Sequence, residues 1–194
     1  MATEIEMRAR FDQGAHDRLV ARLERDGEDL GRDDKHIYFY VLPDKLLKVT
    51  DNTAAGTAKI SLKNSKIGQG AAFPETDIAI AREDVPAAVR VFNALGFDGQ
   101  MHEAFNRRHN FRFQGVDIAV KWSEAWGHHA EFEVLLDDDA SQAAQEEAAG
   151  RIQTVASELG IDLMSEQELA EFTAAFEAAE QERKAAATDP TPTA

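Results

Sequence analysis

Residues 3–8 alternate without a break: Thr3, Ile5 and Met7 take one parity, and Glu4, Glu6 and Arg8 take the other. Successive strand side chains point to opposite faces, so these three charges share one face at spacings of about 7 Å. The same period returns further along. Lys59, Ser61 and Lys63 alternate with Ile60 and Leu62, and Glu131 and Glu133 alternate with Ala130, Phe132 and Val134. Taken alone, residues 4–8 fit a solvated strand face. They also fit a ligand ladder, in which carboxylates hold a hard cation and the cation and arginine together hold phosphate. Charge on one face of several strands predicts a sheet that closes around a polar interior.

The rest of the chain supplies many strands and four helices. A helix starts at Asp12, with His16, Leu19, Val20 and Leu23 as its apolar stripe and Gly27 as its C-cap. Residues 36–42 read as a strand, and residues 46–50 and 57–63 as a hairpin around Asn52 to Gly56. Gly68-Gln69-Gly70 reads as a flexible loop, and it lacks the Gly-Lys-Ser/Thr ending of a P-loop. Residues 75–81 alternate again. Asp84 is the expected N-cap of a helix whose buried face is Val85, Ala88, Val89, Phe92 and Leu95, ending at Gly96. Strands at 105–113 and 116–122 flank a Gln114-Gly115 turn, and 129–135 is a further strand. Asp137 to Asp139 and Ser141 put negative charge at the start of a helix lined by Ala144, Ala148, Ile152, Val155 and Leu159 and stopped by Gly160. Ser165 and Glu168 form a capping box for a last helix, with Leu169, Phe172 and Phe176 inward.

The formal net charge of −15 argues against general nucleic-acid binding. From Asp137 onward there are 14 acidic and 3 basic residues, whereas residues 1–136 hold 22 and 18 and are nearly balanced. A local basic site is therefore compatible with the acidic whole. The absence of cysteine excludes disulfides, thiol catalysis and cysteine metal sites, and it fits a reducing cytoplasm. The N-terminus lacks a signal-like apolar core, and no run approaches the length of a membrane span. The expectation is a cytoplasmic protein with no membrane or nucleic-acid partner. Adjacent His128 and His129 point apart on a strand, which disfavours zinc, and Trp122 and Trp126 read as packing residues.

Four motifs in order resemble the CYTH superfamily, the triphosphate tunnel metalloenzymes. Glu4-Ile5-Glu6-Met7-Arg8 is similar to its Glu-x-Glu-x-Lys signature. Ala58 to Lys63 resembles its Leu-Thr-Leu-Lys strand. Arg108-His109-Asn110-Phe111 resembles its Arg-x-x-Tyr strand, and Gly127 to Glu133 resembles its Gly-x-aromatic-x-Glu-x-Glu strand. The resemblance covers roughly residues 3–135. It implies an antiparallel closed β-barrel forming a tunnel, in an α+β domain with flanking helices and two C-terminal helices.

The resemblance also implies roles. Glu4, Glu6, Glu131 and Glu133 would ligate Mg²⁺ or Mn²⁺, and Glu4, Glu6 and Arg8 would be catalytic. Arg8, Lys48, Lys59, Lys63, Arg108, Arg112 and Lys121 would bind substrate. The departures are Arg8 in place of lysine, Lys48 in place of two arginines, and Lys121 near the place of a frequent metal-binding aspartate. The implied function is a metal-dependent phosphohydrolase or cyclase acting on a triphosphate: inorganic triphosphate, thiamine triphosphate or ATP. The alternative is a non-catalytic polyphosphate- or nucleotide-binding module. The expected organisation is one domain over residues 1–182, with the barrel at about 3–136, C-terminal helices at about 139–182 and a disordered tail at 183–194. The expected partner is a small-molecule triphosphate, and a homodimer is compatible with it.

Overall fold

The computed structural model describes residues 2–63, 72–137 and 140–188. In chain order these form β1 (Ala2–Arg10), α1 (Gln13–Asp26), β2 (Glu28–Arg32), β3 (Lys35–Val41), β4 (Leu46–Asn52), β5 (Thr57–Lys63), β6 (Ala72–Ile80), α2 (Val85–Phe92), β7 (Met101–Phe113), β8 (Val116–Ser123), β9 (Gly127–Asp137), α3 (Gln142–Glu158) and α4 (Glu166–Thr188). The expected loop at Gly68 to Gly70 lies outside the described residues.

All pairings are antiparallel, in the order β2-β7-β3-β4-β5-β6-β1-β9-β8, and β8 also pairs with β7. β2 and β3 lie end to end along β7 in one register, with Arg32 opposite His109 and Lys35 opposite Asn106. They act as one broken strand, so the sheet has eight staves. It curls into a barrel, but an open one rather than the closed barrel expected. β7 serves both halves in succession: residues 101–106 pair with β3, and residues 107–113 with β8. The cause is length. β7 has 13 residues and β8 has 8, so β8 runs out and leaves a seam beside the first half of β7. β6 is divided the same way, with residues 72–74 on β1 and 75–80 on β5.

The period-two pattern sorts side chains between the barrel interior and its helical jacket. Ile5, Ala9, Phe111, Ile118, Phe132 and Val134 face outward onto Leu19 and Leu23 of α1 and Ile152 and Val155 of α3. On the other half, Tyr40, Leu47, Val49 and Ala58 pack under Val85 and Phe92 of α2. Burying a side chain of this size is worth about 1.5–3 kcal/mol, so these two outward cores hold the sheet. The charged parity is thereby forced inward.

Several expected signals act as read. The Asp12 carboxylate accepts from the Ala15 amide at 2.7 Å, and Gly27 N–H donates to Leu23 O at 2.9 Å. A Cβ at Gly27 would lie 2.9 Å from Leu23 O and 3.1 Å from Arg112 O, so only glycine lets α1 end against β7. Ser165 and Glu168 form the reciprocal capping box at 2.8 and 3.2 Å. Others differ. Asp84 makes no side-chain cap, because a 3₁₀ turn at Arg82–Asp84 leads straight into α2. Leu95 is exposed, because the chain widens into a π turn over Asn93–Phe97 and shifts the helical phase. β2 was not anticipated: Glu28–Arg32 is mostly polar, without alternation, and its register shifts between Asp29 and Gly31. α4 continues to Thr188, past Glu182 where order was expected to end. No helix among the described residues is long and apolar enough to cross a membrane.

Candidate functional site

β1 lies between β6 and β9, and its register with β9 sets the site. Glu6 stands opposite Glu133, Arg8 opposite Glu131 and Glu4 opposite Leu135. Glu4, Glu6 and Glu133 each present an oxygen within 4.8 Å of the others. An all-carboxylate donor set suits a hard cation of the Mg²⁺ or Mn²⁺ kind. Glu133 makes no hydrogen bond or ion pair among the described residues. Burial, and then Glu4, Glu6 and Glu131, push its carboxyl up to about 7. Lys63 and Arg8 meet Glu4 and Glu6, but no cation pairs with Glu133 among the described residues, and three carboxylates gathered this closely fit a divalent ion.

Glu131, expected in the same set, lies in different company. Its carboxylate takes a short contact from the Lys121 ammonium and lies 3.3 Å from Arg8 Nη2 and 3.7 Å from Arg108 Nη1. Against the effect of burial, Lys121, Arg8 and Arg108 hold Glu131 well below the usual carboxylate range. It stays ionised; burial, which Glu131 opposes only in part, pulls the Lys121 ammonium down to about 7.

The opposite wall comes from β4, β5 and β6. Lys63 Nζ donates to Glu4 at 2.6 Å and lies 3.2 Å from Glu75 and 3.7 Å from Glu6. Burial lowers its pKa, but Glu6, Glu4 and Glu75 outweigh that and hold its ammonium above the ordinary value. Lys48 Nζ lies 3.4 Å from Glu75. Burial first, then Lys63, pulls the Lys48 ammonium down. Burial raises Glu75, but Lys48, Lys63 and Lys59 bring it down to about 2. Lys59 is half exposed and donates to Asp77 at 2.6 Å, and Ser61 Oγ donates to the same carboxylate at 2.5 Å.

Arg108 donates from Nε to Asn110 at 2.6 Å and lies 3.3 Å from Asp33, which also takes Lys35 at 2.7 Å. Arg108, Asn110, Glu131 and Glu133 line a cavity of about 110 Å³ at this end of the barrel. Arg112, expected to bind substrate, is exposed at the rim and locked to Asp117 by two hydrogen bonds of 2.6 and 3.0 Å. The structure does not bring it to the other site residues.

Arg8 pairs through Nη2 with Glu6 and Glu131. Its Nε and Nη1 are buried with no hydrogen-bond acceptor among the described residues. Trp126 lies 5.5 Å from the Arg8 guanidinium and packs edge-on against Phe172 of α4. His129 is also buried here. Burial and then Lys121 push its imidazole down to about 4, so it is neutral at pH 7.

The site therefore contains acidic residues not anticipated from sequence. Glu75 and Asp77 on β6 carry the same every-other-residue signal as Glu4 and Glu6, so the alternation alone marked them. Asp33 and Lys35 occupy the break between β2 and β3 and carry no such signal.

Comparison of the sequence alone matches no family model and no curated protein. The fold does have solved counterparts. Pyrococcus horikoshii PH1012 is 23% identical, with a TM-score of 0.64 over 86% of this chain and 93% of that one. An adenylate-cyclase candidate from Vibrio parahaemolyticus is 18% identical, with a TM-score of 0.61 over 87% of this chain and 97% of that one. HpAC1 from Hippeastrum, described by a dominant triphosphatase activity, is 18% identical, with a TM-score of 0.59 over 90% of this chain and 96% of that one. At these identities the likeness establishes the fold, and it is the fold that the CYTH resemblance led us to expect.

Proposed function

We propose that the barrel binds a triphosphate together with a divalent cation and hydrolyses it. The observation that carries this reading is the pairing of two unmet needs. Arg8 has buried donors without an acceptor, and the nearby Glu133 carboxylate has no donor. A metal–phosphate complex satisfies both, because it brings anionic oxygens to Arg8 and positive charge to Glu4, Glu6 and Glu133. The residues fit Mg²⁺ or Mn²⁺, which when bound would neutralise phosphate oxygens and orient a water for attack on the terminal phosphoryl group.

The chain's own residues would do the positioning. Lys48, Lys59 and Lys63 on one wall and Arg108 on the other bracket the phosphate chain, and Arg8 takes its buried end. Each cation already has a carboxylate partner, so binding exchanges carboxylate oxygens for phosphate oxygens. The fold shared with HpAC1, whose described activity is dominantly triphosphatase, favours hydrolysis over cyclisation.

The test is phosphate release from tripolyphosphate, thiamine triphosphate and ATP with Mn²⁺ or Mg²⁺, in the native chain and in Glu4→Gln and Glu133→Gln. Turnover that needs metal and is lost in both variants supports the reading. No turnover of any substrate rejects it.

A second reading, a binding module without chemistry, is favoured by Lys121, whose ammonium takes Glu131 out of the carboxylate cluster. Tight tripolyphosphate binding by calorimetry without turnover selects that reading.

A further inference from the structure

Glu131 and Glu133 stand two positions apart on β9, on the same face, yet they have different neighbours. Glu133 gathers with Glu4 and Glu6. Glu131 is ringed by Lys121, Arg8 and Arg108. Neighbours on one strand face are about 7 Å apart, so the Lys121 ammonium lies within a side-chain length of the three-carboxylate cluster. Its side chain is only 8% exposed, and its head is fixed on Glu131. It cannot withdraw into solvent as a surface lysine does.

We propose that Lys121 is a tethered cation in place of a second divalent ion, so that the barrel binds one such ion, at Glu4, Glu6 and Glu133. This rests on the metal-dependent reading above and goes beyond it by fixing the number of ions and removing Glu131 from the ligand set. The argument is one of charge. Where two ions act together they sit about 3.5–4 Å apart and share carboxylates. A second ion beside Glu131 would meet Lys121, Arg8 and Arg108 around a carboxylate that is already paired. The lysine head offers a compact charge with three donors at that level of the barrel. Its head is held at that level by Glu131 whether or not an ion is bound. Lys121 is thus a positioning residue: it holds Glu131 away from the ion and sets the charge beside it.

The test counts ions rather than turnover. Mn²⁺ is titrated into the full chain at pH 7 by calorimetry, with free Mn²⁺ followed by electron paramagnetic resonance. The native chain is expected to bind one ion. Glu131→Gln keeps that number with affinity within about twofold, whereas Glu133→Gln weakens it by about tenfold or more, the scale of one lost charged contact. Lys121→Asp, which places a carboxylate beside Glu131, is expected to bind two. Two ions on the native chain, or equal losses in Glu131→Gln and Glu133→Gln, overturn the proposal. So does a folded Lys121→Asp that still binds one. If Lys121→Asp does not fold, the two glutamine variants decide. Failure of the native chain to bind Mn²⁺ at all rejects the metal-dependent reading itself, a result distinct from binding two.

Discussion

Glu6 and Glu133 are direct cross-strand partners on β1 and β9, so the register of the sheet holds two like charges opposite each other inside the barrel. Like charges directly opposed destabilise a sheet. Glu133→Gln should therefore raise the melting temperature of the metal-free protein, by a few degrees for a gain on the order of 1–2 kcal/mol. The same change should shrink the rise that Mn²⁺ produces by binding the folded state. Thermal melts with chelator and with millimolar Mn²⁺ check both effects.

The pH dependence follows from the same carboxyl. Glu133 titrates at about 7 in the folded chain, against an ordinary 4.5. Between those values the folded state holds a proton that the unfolded state has released. Metal-free stability contributed by this group is thus present at low pH and is lost as pH rises from about 4.5 through about 7. Urea unfolding with chelator at steps across that window should show the decline in the native chain and a flatter profile in Glu133→Gln. Mn²⁺ affinity should fall below about pH 7, since proton and ion compete for the same oxygens.

Lys63 and Lys59 should behave differently although both lie on β5. Lys63 touches Glu4, Glu6 and Glu75, so Lys63→Met leaves the buried Glu6 and the partly buried Glu4 and Glu75 without their shared cation. Losing one partner of a buried pair costs about 3–5 kcal/mol. The freed carboxylates should also bind Mn²⁺ more tightly than in the native chain. Lys59 is half exposed on Asp77, so Lys59→Met should change stability by about 1 kcal/mol or less and act mainly on triphosphate affinity. Paired melts and Mn²⁺ titrations separate the two lysines.

α4 is fastened through Phe172, which meets Trp126 at 4.7 Å and lies under the Arg10 guanidinium at 4.0 Å. Phe172→Ala should cost about 3 kcal/mol by lost packing. The loss should appear first as faster amide exchange across α4, with β1 and β9 still protected. Uniform loss of protection across the domain would show that α4 is integral to the barrel rather than docked on it.

Much of this was legible in the chain because short-range chemistry wrote it. Asp12 with Gly27 bracketed α1, Ser165 with Glu168 opened α4, and Gln114-Gly115 made the β7–β8 turn, where Gln114 takes φ 50° and Gly115 φ 74°. The inward charge of β1, β5 and β9 followed from period two. What stayed hidden depended on register. Lys121 stands opposite His129, not Glu131, and reaches its partner diagonally, which no spacing within β8 or β9 reveals. The outward position of Leu95 depended on a change of helical type, and the open seam on the unequal lengths of β7 and β8. Glu75 and Asp77 were different, since their alternation was in plain sight and only their facing direction was missing.

The β1–β9 pairing also sets an order of events during synthesis. Glu4 and Glu6 emerge in the first strand, whereas their partner Glu133 comes only after every other stave of the barrel. Contacts this distant along the chain form late and slowly, because the intervening segment must be closed first. The β4–β5 hairpin can assemble as soon as it appears, but the carboxylate cluster cannot exist until β9 inserts beside β1. Until then the edge of β1 that will pair with β9 is a sticky, half-polar surface on a nascent chain. Completion of the barrel and creation of the candidate centre are thus one step, and a ribosome stalled before β9 would carry a sheet with no centre.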